Sequence, residues 1–121
     1  MNVDLELRKA FQELQSKMVN TQQQLKVSDV QVNQLKSQIQ YTKLVQKEVD
    51  SLPADVPLYE SVGRMFLQQT NDTVKENLVK KIETKQEKIK TIEGNKGYLE
   101  RSLKESEDNL RELILSKQNR S

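Results

Sequence analysis

Apolar side chains recur in an unbroken alternation of four- and three-residue steps along two long stretches of this chain. A repeat of about 3.5 residues, sustained over about five heptads, is typical of α-helical coiled coils. The two stretches therefore predict two long helices, each with one seam of repeating positions. The first seam is Leu7, Phe11, Leu14, Met18, Thr21, Leu25, Ser28, Val32, Leu35, Ile39 and Thr42. The second seam is Leu78, Ile82, Lys85, Ile89, Ile92, Lys96, Leu99, Leu103, Ser106, Leu110 and Leu113.

The two helices are predicted to run from about residue 4 to 50 and from about residue 73 to 118. Thr73 and Glu76 fit a capping box at the start of the second helix. Each helix would contain roughly 46 residues and extend roughly 70 Å. Because their lengths match, the helices can bury both seams by pairing as an antiparallel hairpin.

Two lysines, Lys85 and Lys96, interrupt the second seam. In an antiparallel pair, facing residue numbers add up to about 123, so Ser28 is expected near Lys96 and Thr42 near Lys85. The lysines either extend their ammonium groups along the seam to solvent or help to fix the register of the helices. Both interpretations stay open from the sequence.

Two glycines, Gly94 and Gly97, lie in the middle of the second helix. Each is expected to destabilise a helix by about 1 kcal/mol relative to alanine. They mark either a bend or a tolerated loss of helix propensity.

The segment between the helices is too apolar for a plain loop and is bracketed by Pro53 and Pro57, which disfavour a continuous helix. Residues 58–62 and 65–70 are predicted to form two short strands, with Gly63 in the turn because glycine tolerates a positive φ. An irregular loop is the alternative. The predicted fold is mainly α, an antiparallel two-helix coiled coil with one β-hairpin inserted between the helices, as a single domain over residues 1–121.

A lone two-stranded hairpin is marginal in water and exposes two open edges. Two long helices that leave the hairpin at one end cannot cover it. We therefore expect other hairpins to complete its sheet, which makes the chain part of an oligomer.

The termini carry more apolar side chains than two-helix packing requires. Ile114 and Leu115 fall outside the strict seam, close to Leu110 and Leu113. The opposite terminus contributes Val3, Leu5, Leu7 and Phe11. An enlarged apolar surface at a free coiled-coil end suggests transient binding of apolar segments; ordinary fraying with a few extra leucines is the alternative.

Composition excludes several classes of function. The 121 residues contain no Cys and no His, so thiolate and imidazole chemistry is absent, and no catalytic, metal or cofactor residues are predicted. The formal net charge is +2 without a clustered basic run, which argues against nucleic acid binding. No apolar run is long enough for a membrane span, and no signal peptide follows Met1. A cytoplasmic protein without enzymatic activity is expected.

Several segments together resemble the β-class subunits of prefoldin. The hairpin motif is Tyr-Glu-Ser-Val-Gly-Arg-Met-Phe at residues 59–66. The second helix carries Tyr-Leu-Glu-Arg-Ser at 98–102 and Lys-Glu-Ser-Glu-Asp-Asn-Leu-Arg-Glu at 104–112, and the first begins with Val-Asp-Leu-Glu-Leu at 3–7 and Lys-Ala-Phe at 9–11. The order helix, one hairpin, helix is that of the β class.

The resemblance implies an ATP-independent co-chaperone of two α-class and four β-class subunits. Their hairpins would join the subunits, and their coiled-coil tips would hold unfolded or nascent chains, such as actin and tubulin, for delivery to the cytosolic chaperonin. A coiled-coil scaffold or adaptor without chaperone activity is the alternative. The assembly residues implied are Leu58, Tyr59, Val62, Gly63, Met65, Phe66 and Leu67. The client contacts implied are Val3, Leu5, Leu7, Phe11, Leu110, Leu113 and Ile114.

Overall fold

The chain forms two long helices with a two-stranded antiparallel hairpin between them, which confirms the predicted fold class. The computed structural model describes residues 2–118, and their side chains from residue 5 onwards. Helix α1 spans Asn2–Ser51, strand β1 Leu58–Val62, strand β2 Met65–Gln69 and helix α2 Asn71–Gln118.

The described residues divide into two compact units. The hairpin unit comprises Gln31–Thr91, and therefore holds the end of α1, both strands and the start of α2. The terminal unit comprises the described residues up to Val30 and from Ile92 onwards. Each unit contains a stretch of both helices.

In the hairpin unit, the predicted seams are the most buried part of the two helices. Val32, Ile39 and Val49 of α1 are buried, as are Leu78 and Ile82 of α2. The buried polar member of the seam, Thr42, donates its hydroxyl to the carbonyl of Gln38 at 2.8 Å. Its hydrogen bond is made within its own helix, so this hydroxyl places no demand on the partner helix.

The terminal unit follows the same pattern with one exception. Thr21 and Leu110 are buried, and the remaining seam positions from Leu14 onwards are half-buried. Phe11 occupies a seam position but keeps 52% of its surface exposed. The heptad assignment is therefore confirmed over most of its length, and Phe11 is available for contacts outside the helix pair.

The hairpin turns over two residues, Gly63 and Arg64, because Val62 pairs with Met65. Gly63 has a φ of 61°, and no non-glycine residue described here has a positive φ. Glycine at the first central position is what a type II′ turn requires. The predicted role of Gly63 is confirmed.

Helix α2 begins two residues earlier than predicted, and its cap differs from the predicted one. The hydroxyl oxygen of Thr70 accepts a hydrogen bond from the Thr73 backbone N–H at 3.2 Å, and the Thr70 carbonyl accepts one from Val74 N–H at 3.1 Å. Thr70 is therefore the N-cap residue, and the prediction of a capping box starting at Thr73 is wrong. Thr73 lies in the first turn, with its hydroxyl 2.7 Å from that of Thr70.

Among the described side chains, three ion pairs join the two helices. Lys75 pairs with Asp50 at 3.4 Å in the hairpin unit. In the terminal unit Lys96 pairs with Asp29, and Lys117 with Glu6 at 2.8 Å. The three lysines are spaced by 21 residues along α2. The residue numbers in each pair add up to between 123 and 125, in agreement with the predicted antiparallel register.

Candidate interaction surfaces

The hairpin exposes apolar side chains on both of its faces. Residues that pair across the strands share a face, so Val62 and Met65 lie with Leu67 on one side. Tyr59 and Phe66 lie on the other. All five are exposed, up to 72% for Phe66. The described part of the chain therefore leaves apolar side chains exposed on both faces of this small sheet.

The sheet contains only β1 and β2, so each strand has one edge without a partner strand among the described residues. Unpaired backbone N–H and C=O groups at such edges are ready to pair with another chain. Together with the two exposed apolar faces, they make the hairpin an incomplete sheet. Among the predicted assembly residues, Leu58 is half-buried and the others are exposed. Gly63 occupies the turn with its positive φ.

The predicted client-contact residues differ in their accessibility. Leu5 and Phe11 are exposed, with 64% and 52% of their surfaces open to solvent. Leu7, Leu113 and Ile114 are half-buried. Leu110 is buried at 9% exposure, so its side chain serves the seam and has little surface left for a ligand. Val3 lies outside the residues whose side chains are described.

Leu115 was predicted to be part of the enlarged apolar surface but was not among the predicted client contacts, although 53% of its surface is exposed. Its position directly after Ile114, outside the heptad seam, was the sequence signal that could have selected it. Leu5, Phe11 and Leu115 are therefore the most accessible large apolar side chains of the terminal unit near the two chain ends. These three are called the end residues below.

A shallow groove runs between the helices in the same unit. Its volume is about 280 Å³. One part of the wall is apolar, and the other carries the ammonium group of Lys17 together with the acidic side chain of Glu13. The lining residues are Ala10, Glu13, Leu14, Lys17, Ser106, Asn109, Leu110 and Leu113.

Lys17 crosses from α1 to α2 and donates three hydrogen bonds. The acceptors are the Ser106 hydroxyl at 2.6 Å, the Ser102 hydroxyl at 2.9 Å and the Ser102 carbonyl at 3.2 Å. Ser106 also donates to the Ser102 carbonyl at 3.1 Å. This cluster was not predicted from the sequence, although the predicted register places residue 17 opposite residue 106.

Lys96 of α2 forms an ion pair with Asp29 of α1. Its hydrogen bond to Asp29 raises the pKa of the Lys96 ammonium above the ordinary value of 10.5, with smaller contributions from Glu100 and Glu93. The charged form of Lys96 is therefore favoured in the folded chain. This arrangement supports the interpretation that the lysine reaches out of the seam, where it meets a carboxylate.

Within residues 2–118, no cluster of three or more acidic side chains is arranged to hold a metal ion. The helices in that range also contain no stretch long and apolar enough to cross a membrane.

Comparison with known proteins identifies the family. The profile described as "Prefoldin subunit" matches residues 12–117. The chain belongs to the prefoldin subunit family. Prefoldin subunits are chaperone components, and the family and the fold together give this chain the role of a prefoldin subunit.

Individual relatives agree with this assignment. The chain is 46% identical to prefoldin subunit 1 of Danio rerio over 115 residues, which cover 95% of this chain and 94% of the relative. It is 44% identical to prefoldin subunit 1 of Homo sapiens over the same length. It is 37% identical to a probable prefoldin subunit 1 of Caenorhabditis elegans, covering 94% of this chain and 97% of the relative. These similarities agree with the resemblance to prefoldin subunits that the hairpin and helix motifs indicated.

A solved structure shows the same architecture. The prefoldin beta subunit from Thermococcus strain KS-1 superposes with a TM-score of 0.70 at 26% sequence identity, covering 88% of this chain and 90% of that chain. The single hairpin between two helices is thus the fold of a prefoldin beta subunit.

Proposed function

We propose that this chain is one β-class subunit of a heterohexameric, ATP-independent prefoldin in the cytoplasm. It assembles with α-class and other β-class subunits through its hairpin. Its helix ends hold unfolded or nascent proteins such as actin and tubulin, which are then passed to the cytosolic chaperonin. Neither a cofactor nor catalysis takes part, and a non-chaperone coiled-coil scaffold is the alternative.

The observation that carries the proposal is the incomplete hairpin. Tyr59 and Phe66 on one face, and Val62, Met65 and Leu67 on the other, are exposed beside two open strand edges. Strands from neighbouring subunits would pair with these edges and cover both faces. A plain coiled-coil scaffold has no use for such a sheet.

The client-holding part of the proposal rests on the end residues Leu5, Phe11 and Leu115. Their exposed apolar surface offers a contact to the apolar side chains that unfolded chains expose. Each contact is weak, and several subunits holding one client would act together through their high effective concentration.

Assembly is tested by co-expression with candidate α-class subunits, followed by native mass measurement. The double variant Met65→Ser and Phe66→Ser should stay helical by circular dichroism but fail to enter the hexamer. Val79→Ser is the matched control, because Val79 is also an exposed apolar residue of the hairpin unit, 45% exposed on α2. A chain that remains monomeric with every subunit combination would contradict the assembly.

Client binding is tested in the assembled hexamer. Serine at all three end residues should leave the native mass unchanged and reduce the crosslinking of denatured actin to this subunit. Serine at Val19, Val27 and Val30 is the matched control, because these valines are similarly exposed on α1. Equal crosslinking by both triple variants would favour the scaffold alternative.

A further inference from the structure

The two faces of the hairpin differ in charge. One face carries only uncharged side chains, those of Tyr59, Ser61, Phe66 and Gln68. The other face carries the carboxylate of Glu60, which is paired across the strands with Leu67. Along β1, the nearest residues on the same face as Glu60 are Leu58 and Val62. The carboxylate therefore lies between apolar side chains on this face.

The Glu60 carboxylate has no counter-ion in the described part of the chain. Glu60 is half-buried, and no described lysine or arginine nitrogen lies within 4.0 Å of its oxygens. Arg64, the other charged residue of the hairpin, is exposed in the turn. No side-chain oxygen of the described residues is buried without a partner, so water still reaches this carboxylate.

Covering this face with a neighbouring subunit would remove that water. Prefoldin subunits form hexamers with other prefoldin subunits, and Val62, Met65 and Leu67 are exposed in the single chain. A neighbour that covers these apolar side chains also covers Glu60, which lies opposite Leu67. A charge that loses water without gaining a counter-ion is strongly unfavourable. The neighbour is therefore required to supply a cation.

We propose that a neighbouring subunit adds a strand to the open edge of β1 and that this strand carries a lysine or arginine opposite Glu60. An added strand places its side chains roughly 5 Å from those of β1 on the same face. A neutral or acidic residue at that position would leave the carboxylate unpaired, so Glu60 selects the neighbour. The inference rests on the proposed assembly through the hairpin and adds the choice of neighbour to it.

The position of Glu60 also distinguishes the two edges of the hairpin. Each strand has one edge without a partner strand among the described residues. A strand beside β1 would lie about 4.8 Å from it, whereas a strand beside β2 would lie about 10 Å from β1. Leu67 would then stand between that strand and Glu60. The basic strand is therefore expected at the β1 edge.

The contribution of Glu60 is measured by competition for its place in the hexamer. Wild-type and variant chains with different mass tags are co-expressed with limiting amounts of the α-class and other β-class subunits. Native mass measurement then gives the share of hexamers that contain the variant. Glu60→Gln should lower this share about threefold and Glu60→Lys about tenfold, because lysine places like charges opposite each other.

Glu87→Lys is the matched control, because Glu87 is an exposed glutamate of α2 in the hairpin unit and the change in charge is the same. This variant should compete as well as the wild type. A tenfold loss at Glu60 without a loss at Glu87 would assign the effect to the hairpin face and not to the net charge of the chain.

The neighbour's cation is located by charge reversal. Each lysine and arginine in the hairpins of the partner subunits is changed in turn to glutamate. One of these changes should restore the share of Glu60→Lys to within about twofold of the wild-type share. The same change alone should lower the entry of the wild-type chain. Rescue by the partner also shows that Glu60→Lys folds.

Other outcomes would overturn the inference. Entry of Glu60→Lys at the wild-type share would show that the carboxylate faces water in the hexamer. Failure of every partner reversal to rescue Glu60→Lys would show that no neighbouring strand carries its counter-ion. Rescue by Arg64→Glu in the same chain would assign the ion pair to the hairpin itself. The wild-type chain still enters the hexamer in these cases, whereas a wild-type chain that stays monomeric would contradict the proposed assembly.

Discussion

Lys96 of α2 donates a hydrogen bond to Asp29 of α1, so a lysine at a seam position is neutralised by a carboxylate beside the seam. Lys75 and Asp50 repeat the arrangement 21 residues away on each helix. Lys96, one of the two lysines that interrupt the second seam, therefore pairs with an acidic residue on the other helix, which gives the pairing of the two helices an electrostatic component.

The Lys96–Asp29 pair makes a testable contribution to pH dependence. Because the folded-state pKa of Lys96 is raised, its stabilising effect is fully present below the unfolded-state pKa of about 10.4 and is lost as the pH rises through the folded-state value. The difference in urea stability between the wild type and Asp29→Asn should be constant from about pH 7 to 9 and shrink above about pH 10.5. A difference that stays constant up to pH 12 would contradict the role of this pair.

Lys96→Leu should raise thermal stability and allow the two helices to pair in more than one register. Leucine buries more apolar surface at a seam position, whereas the lysine restricts which residues can face it. Spin labels at residues 26 and 98, which are both exposed, report the register as a distance distribution. The chain has no cysteines, so both labelling sites can be introduced cleanly. An unchanged narrow distribution would assign the register to the other ion pairs.

Gly94→Ala and Gly97→Ala should each stabilise the chain by about 1 kcal/mol in urea denaturation. Both glycines lie within α2, and a Cβ at either position would meet nothing within 4 Å. Gly63→Ala is the contrasting control, because Gly63 has a φ of 61° and alanine would be strained there. Destabilisation by alanine at 94 or 97 would point to a requirement for glycine in α2 itself.

Thr70→Ala should destabilise the chain by about 1 kcal/mol, because it removes the hydroxyl oxygen that accepts the Thr73 N–H. Thr73→Ala retains that acceptor and should have a smaller effect, and Glu76→Ala should be close to neutral. Urea denaturation of the three variants ranks them. A larger loss for Glu76→Ala than for Thr70→Ala would restore the capping box that the sequence suggested.

The periodic parts of the fold could be predicted from the sequence, because a 3.5-residue repeat has few structural solutions. The same repeat could not predict the exposure of Phe11, since it states which face a residue lies on and not how far its neighbours cover it. The N-cap was mispredicted because the repeat does not specify where β2 ends and α2 begins. The pairing of Leu58 with Gln69 ends β2 just before Thr70, and only that pairing places Thr70 at the start of α2.

The candidate surfaces were predictable to different extents. The hairpin residues followed from a short motif with a required glycine, and their exposure agrees with a role between subunits. The helix ends were harder, because Leu110 continues the seam and is buried, whereas Leu115 outside it is exposed. The position of the Lys17 cluster follows from the register, but its hydrogen bonds to Ser102 and Ser106 depend on side-chain conformations that a heptad repeat does not specify.

Lysines that lie one heptad away from the paired carboxylates of α1 also work against misalignment. If α1 slipped by one heptad in one direction, Lys36 would take the place of Asp29 opposite Lys96. A slip in the other direction would bring Lys43 into the place of Asp50 opposite Lys75. Either error replaces an attraction with a repulsion between like charges. The charges of this chain thus penalise the two nearest wrong alignments that the apolar repeat alone would tolerate.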